Sequence, residues 1–474
     1  MSTFGTLFRV TTCGESHCKG VGCIVDGCPP RLRLTEADVQ PQLTRRRPGQ
    51  SRLTTPRDEA DLVTILSGTE RGVTLGTPIA MMVPNENVRP GDYAEMDAIP
   101  RPGHADYTYQ VKYGVRAASG GGRSSARETI GRVAAGAIAE KWLAEEYGTA
   151  VVTFVSAVGA VALPRAAERH ASGRPWTRAE VDALGTLTIL RDGASWRRAP
   201  ADAPRGAQAA LDAADDGAFG ARGGRFADAA APAYEGPGGE LYARDGALLP
   251  PLPEAALAPL RSDDVVALRC PHGPTAAAMA TEIRAAKAAQ DSIGGVLTTV
   301  ISRVPVGLGE PCFDKLEARL AAAMLSLPAT KGFEIGSGFE GTKLRGSQHN
   351  DPFVPVAGGG GGGGGAAAAE GTLLLRTATN NAGGTLGGIS NGADIVFRVA
   401  IKSVSTISQP QATATYTGEA AVLEAKGRHD PCVLPRAPPL LEAMAALVLI
   451  DAALIQRSRG PVHVLPEEEE RGEA

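Results

Sequence analysis

Two histidines and a set of arginines lie in the polar loops of this chain, and their types set what chemistry is open to it. His17 ends the loop Cys13-Gly14-Glu15-Ser16-His17, and His104 lies within Arg101-Pro102-Gly103-His104-Ala105-Asp106. Histidine gives or takes a proton near neutral pH without large tuning, so both are candidate acid–base groups. The first half of the chain adds Arg46, Arg52, Arg101, Arg123 and Arg127. The second half adds Lys402, Ser403, Ser405, Thr406, Arg428, His429 and Asp430. Guanidinium forks suit carboxylate and phosphate. If the two sets converge, they form a cationic pocket with histidines and one carboxylate, fit for a small ligand with several negative charges. Each residue alone has an ordinary explanation. A loop histidine is usually solvated, the Arg45–Arg47 run can be a basic face or a subunit salt bridge, and Asp430 can cap a turn before Pro431.

Positioning these groups falls first to Gly120–Gly122 and the stretch Arg123-Ser124-Ser125-Ala126-Arg127-Glu128-Thr129. Glycines let a backbone approach a ligand closely. Ser125 and Glu128 have capping-box spacing, and an Ala-rich helix is expected from Ala126 to about Leu143. A capped helix start offers unpaired N–H groups to an anion. Upstream, Phe4–Thr12 and Val21–Val25 read as strands, and Thr35 starts a helix running to about Arg45. Val63–Leu66 and Ile79–Val83 are short apolar strands, and Ala150–Leu163 reads as strands. Later come a helix from Thr275 to Gln290, a strand from Val296 to Val304 and a helix from Phe313 to Leu325. Ile395, Phe397, Val399 and Ile401 alternate along one face of a strand. The last helix, about Pro438 to Gln456, is apolar on most faces.

Two segments interrupt this pattern. About 197–262 is rich in Ala, Gly, Asp, Arg and Pro, and is expected to be a low-complexity insertion, partly disordered. A Gly/Ala linker follows at about 356–371. Residues 1–460 are expected to form a single catalytic domain, with an acidic tail at 461–474. The chain has 474 residues, 43% apolar and 4% aromatic, with a formal net charge of −4. That charge argues against general nucleic-acid binding. The apolar run Ala443–Ile455 carries Asp451, which points to a buried or interfacial helix instead of a membrane span. Of the seven cysteines, Cys13, Cys18, Cys23 and Cys28 recur every five residues, a spacing that matches no common zinc site. No metal is expected, and free thiols are the default. No Walker loop occurs, and the Gly383–Gly388 run does not fit G-x-G-x-x-G.

Taken in order, Phe8–Thr12 with Gly14–His17, Arg45–Gly49, Arg101–Asp106, Gly120–Thr129, Lys331–Gly336, Gly387–Ser390 and Gly427–Pro431 resemble the chorismate synthase family. The ordered set covers most of the chain outside the two interruptions. Cys18 stands where the family usually has Gly. The resemblance implies an α+β fold, a β-α-β sandwich of antiparallel sheets around a helical layer, assembled as a homotetramer. It implies a lyase of the shikimate pathway, acting by anti-1,4 elimination of phosphate from 5-enolpyruvylshikimate 3-phosphate with reduced FMN. Alternatives are a bifunctional form with its own flavin reductase activity, NADPH being the reductant, and a non-catalytic flavin- or anion-binding protein. By motif, His17 is the general acid at the phosphate with Ser16 nearby, His104 protonates the flavin, and Asp430 helps remove the C6 proton. Arg46, Arg52, Arg101 and Arg127 bind substrate anions. FMN contacts Arg123, Ser124, Ser125, Pro328, Ala329, Gly387, Lys402, Ser403, Val404, Ser405, Thr406 and Arg428. A cytoplasmic enzyme is expected, or a plastid one if a leader was removed.

Overall fold

The computed structural model describes residues 2–51, 53–55, 57–87, 96–117, 120–191, 232–356, 375–425 and 429–460. The first sheet is built from β1 (Thr3–Phe4), β2 (Arg9–Cys13), β3 (Gly20–Asp26), β4 (Thr64–Ile65) and β5 (Ile79–Pro84). It runs in the antiparallel order β1-β2-β3-β5-β4. Helix α1 (Glu36–Arg46) starts at Thr35 with a capping box to Asp38. Helices α2 (Asp106–Tyr113) and α3 (Thr129–Tyr147) follow. Strands β6 (Ala150–Val158) and β7 (Val161–Ala162) open a second sheet.

A third sheet comprises β8 (Thr186–Leu190), β9 (Tyr234–Glu235), β10 (Leu241–Tyr242), β11 (Leu248–Leu249) and β12 (Arg261–Ala267), ordered β11-β10-β9-β8-β12. After helix α4 (Gly273–Ala288), strands β13 (Gly295–Ser302), β14 (Thr330–Ile335) and β15 (Ile395–Ile401) complete the second sheet as β14-β15-β13-β6-β7. Helix α5 (Leu316–Leu325) lies between β13 and β14, and α6 (Pro438–Arg459) closes the described chain.

Helices α3 and α6 pack on each other between two sheets, α3 against β3 and β2, and α6 against β6 and β13. This is the expected α+β sandwich around a helical layer. Both helices are buried on most faces, as an all-round apolar helix must be. Their axes come close because Gly136 has no side chain. A Cβ there would lie 2.3 Å from the Cβ of Ala443. Of the most apolar stretch of α6, 78% is buried inside the protein, so its apolarity belongs to the core. Along β15, Ile395, Phe397, Val399 and Ile401 are buried as their alternation predicts.

Two expectations are corrected. Phe4–Thr12 is not one strand. The backbone N–H groups of Thr6, Leu7 and Phe8 donate to the Asp451 carboxylate of α6 at 2.7–3.0 Å, which turns the chain between β1 and β2. Of the expected insertion, residues 232–262 are ordered. Tyr234 is fully buried, and β9, β10 and β11 pair there, with β12 beginning at Arg261. Averaged composition hid these two-residue strands. The rest of that segment, most of the Gly/Ala linker and the acidic tail lie outside the described residues. Phe353–Pro355 and Leu375–Thr377 pair on either side of the linker.

Asp451 is 1% exposed and also meets Arg319 at 3.2 Å. Asp451→Ala would leave three backbone donors without this acceptor and should cost about 2–4 kcal/mol, read as a lower midpoint in urea unfolding.

Candidate active site

Below β2 the chain turns so that Ser16 Oγ lies 2.9 Å from His17 Nδ1. The glycine loop passes over this pair. At Gly120, with φ +74°, a Cβ would stand 2.4 Å from His17 Nδ1 and 2.6 Å from Ser16 Oγ, so only glycine allows the approach. Arg123 ties the loop down. It donates to the carbonyls of Gly14 (3.0 Å) and Thr12 (3.2 Å) and to Thr12 Oγ1 (2.5 Å). Ser124 Oγ donates to the Gly121 carbonyl at 2.6 Å.

Ser125 accepts from the Arg127 N–H at 3.3 Å, but the expected capping box with Glu128 does not form. The buried Glu128 carboxylate takes the Thr12 hydroxyl (2.7 Å), Arg123 (3.3 Å) and Arg132 (2.9 Å) instead. Two guanidinium groups are stronger partners than one backbone N–H. The α-helix itself begins at Thr129, after a short 3-10 turn over Ala126–Glu128.

Arg46 and Arg127 are buried, at 2% and 3% exposure, and share the carboxylate of Asp61. Its two oxygens meet Arg46 at 3.1 Å and Arg127 at 2.9 Å, and Glu59 adds a second carboxylate to Arg127 at 2.5 Å. Arg46 also donates to Thr129 Oγ1 at 3.1 Å and to the Ala126 carbonyl. Burial pushes the Arg46 pKa down to about 10. Arg436 and Arg127 add to that fall, while Asp61 opposes it. Arg127 donates to Asn85, whose amide donates to the carbonyls of Glu15 (3.0 Å) and Cys18 (2.7 Å). The arginine pair is thereby joined to the His17 loop. Cys18 itself is exposed, its thiol donating to the Gly20 carbonyl at 2.9 Å.

On the other side, Arg101 forks onto Asp106 at 2.7 and 2.8 Å, and His104 Nδ1 lies 2.8 Å from the same carboxylate. Burial raises the Asp106 pKa, but the bonds from Arg101 and His104 outweigh it and hold this carboxyl far below its usual range. The second half of the chain arrives here. Ser405 Oγ donates to the Gly103 carbonyl at 2.7 Å, and Arg101 reaches Thr406 Oγ1 at 3.4 Å. Lys402 donates from Nζ to Ser405 Oγ (2.5 Å) and the Ser403 carbonyl (3.4 Å), and from its backbone to the Ala329 carbonyl (2.9 Å). Ala329 follows Pro328 and adopts φ +65°. Val404 accepts from Ser292 Oγ at 2.7 Å. Burial lowers the Lys402 pKa, and neighbouring Lys331 lowers it further.

Asp430 accepts from the Thr55 N–H at 3.1 Å and from Arg436 at 2.5 Å. Burial pushes the nearby Cys432 thiol up to about 12, so it is no nucleophile at neutral pH. Gly387 turns the hairpin of Thr385–Leu386 and Ile389–Ser390, which packs on Leu308 and Leu316. No bond described here joins it to the other groups. Arg52 and Arg428 lie outside the described residues.

A cleft of about 1000 Å³ is lined by His17 and Gly120–Ser124 and by Asp106, Tyr109, Tyr113 and Arg116. Thus His17, Arg123 and Ser124 open directly on it. Of the other described residues, all but Asp430 and Gly387 reach it through the bonds above or sit in loops that do. Sequence reasoning missed Glu59, Asp61, Asp106 and Glu128 as partners of the cations. The signal for Glu59 and Asp61 was present in Arg57-Asp58-Glu59-Ala60-Asp61, an acidic group just beyond the basic run.

A family model described as chorismate synthase matches residues 8–454. A relative named chorismate synthase from Schizosaccharomyces pombe is 52% identical over 459 residues, covering 97% of each chain. One from Toxoplasma gondii, with the same name, is 42% identical and covers 98% of this chain and 99% of its own. A solved structure titled as a crystal structure of chorismate synthase superposes with a TM-score of 0.57 at 26% identity, covering 96% of this chain and 93% of that one.

Because the Asp106 carboxyl is depressed in the folded state, its contribution to stability is present above about pH 4 and lost as pH falls further. Melting temperature followed from pH 6 to pH 2 should therefore fall less steeply below pH 4 in Asp106→Asn than in the wild type.

Proposed function

The chain belongs to the chorismate synthase family, and we propose that His17, His104 and Asp430 carry its reaction. It is a lyase that converts 5-enolpyruvylshikimate 3-phosphate to chorismate and phosphate in the shikimate pathway. The family needs reduced FMN. The observation that carries the assignment of roles is the pairing of His17 with Ser16 under the glycine loop, at the edge of a cleft that Arg123 also lines.

The donor set fits a flavin phosphate. Lys402 sits beside Lys331 with hydroxyl and carbonyl partners, and no carboxylate pairs with it among the described residues. Lys402, Ser403, Val404, Ser405 and Thr406, with Arg123, Ser124, Ser125, Pro328, Ala329, Gly387 and Arg428, would hold the cofactor. Held there, reduced FMN would supply the transient electron density that eases C–O cleavage.

His17 gives its proton to the departing phosphate, and Ser16 holds the ring at Nδ1. His104, fixed at Nδ1 by Asp106, presents its imidazole to the flavin. Asp430, oriented by Thr55 and Arg436, assists removal of the C6 proton. Arg46, Arg52, Arg101 and Arg127 meet the phosphate and two carboxylates of the substrate. A guanidinium has five N–H donors, so an arginine already on a protein carboxylate can still donate to a second anion. The flavin-reductase and binding-only alternatives have no observation in their favour. Assembly as a homotetramer belongs to the same proposal, with light scattering as its test. Exposed Phe313, Phe339 and Phe353 offer apolar surface for it.

Phosphate release should be measured without oxygen, with dithionite-reduced FMN. His17→Ala and His104→Ala should each slow it by roughly 10²–10⁴-fold. Unchanged rates in both variants would overturn the assignment.

A further inference from the structure

His104 is held by a carboxylate that is itself held, and the order of those bonds has a chemical consequence. Asp106 Oδ1 receives His104 Nδ1 at 2.8 Å and Arg101 Nη2 at 2.8 Å. Its Oδ2 receives Arg101 Nε at 2.7 Å and the Arg101 backbone N–H at 3.2 Å. Both oxygens are thus saturated by donors, and Arg101 and Asp106 are buried, at 7% and 5% exposure. An ionised carboxylate only accepts. The ring nitrogen facing it must therefore carry a proton in both the neutral and the charged imidazole, which leaves Nε2 as the atom that gains and loses one.

We infer that Asp106 is a positioning residue for His104, imposing a single neutral tautomer with the proton on Nδ1, and that Arg101 serves to lock Asp106 in place. The inference rests on the reading that His104 works beside the flavin. Arg101 fixes the carboxylate through three donors, two from its fork and one from its own backbone, so the plane of the carboxylate cannot turn away from the imidazole. Gly103 and Ala105 flank the histidine, and Ser405 of the Lys402–Thr406 segment accepts no role in this lock beyond holding the Gly103 carbonyl at 2.7 Å. An amide in place of the carboxylate cannot satisfy the arrangement. Whichever way it is turned, its NH₂ faces donors, either His104 Nδ1 and Arg101 Nη2 or Arg101 Nε and N.

The test is nitrogen NMR of the full chain, labelled at histidine and without ligand, with the His104 signal assigned by its absence in His104→Gln. The wild type should show one neutral tautomer, protonated at Nδ1. Asp106→Asn should show a mixture or the opposite tautomer. With reduced FMN and substrate, the same variant should lose kcat by roughly 100-fold or more, as amidation of a carboxylate that sets a catalytic tautomer does elsewhere. A wild-type ring protonated at Nε2 when neutral, or an unchanged tautomer in Asp106→Asn, overturns the inference. A tautomer that changes without loss of kcat supports the hold of Asp106 on the ring and overturns the part given to His104 in the reaction.

Discussion

Burying a guanidinium without a partner costs several kcal/mol, and this constraint shapes the region around the cleft. Arg46 and Arg127 leave water almost completely, and they do so on the shared carboxylate of Asp61. Glu59, Asp106, Glu128 and Asp430 do the same for Arg127, Arg101, Arg123 and Arg436. Each of these pairs joins stretches of chain that are separate in sequence or locks a loop onto its own helix start. The site is consequently a set of paired charges with a few cations turned to the cleft. Under the proposed reading, a substrate with three anionic groups would meet donors already oriented by protein carboxylates.

The helical layer supplies the rigidity behind this arrangement. Helices α3 and α6 meet closely at Gly136 and Ala443, and α6 sends two buried carboxylates outward from the layer. Asp451 holds the turn between β1 and β2. Glu442 meets Arg45 of α1 at 2.5 Å and the Thr153 N–H of β6 at 3.0 Å. Burial alone would raise the Glu442 pKa, yet Arg178 and Arg45 bring it down to about 2. Strand β2, whose end carries the His17 loop, is thus registered against the core from both sides, by Asp451 at its start and by Thr12 on Glu128 at its end.

Much of this was legible in the residues. The apolar alternation of β15, the Thr35 cap of α1 and the all-apolar character of α6 each reappear in the structure. Periodicity reports burial, and burial in these elements is nearly complete. Two-residue strands such as β9 and β10 give no periodicity to read, so residues 232–262 passed for a featureless segment. Ser125 and Glu128 had the right spacing for a capping box, but spacing could not show that Thr12, Arg123 and Arg132 would compete for Glu128.

The sequence by itself determined which groups the protein has for chemistry: two loop histidines, their glycine neighbours, forked cations in the same loops and an ordered set of motifs that points to one family. Residue type and local spacing carry that information because they follow from the covalent chain. Only the tertiary structure decided which carboxylate each cation meets, which nitrogen of His104 faces Asp106, and that Lys402–Thr406 lies against Gly103. Spacing along the chain does not settle those outcomes, whether the partners are near neighbours such as His104 and Asp106 or as distant as Ser405 and Gly103, because the energy of a buried charge is set by whatever the fold brings beside it.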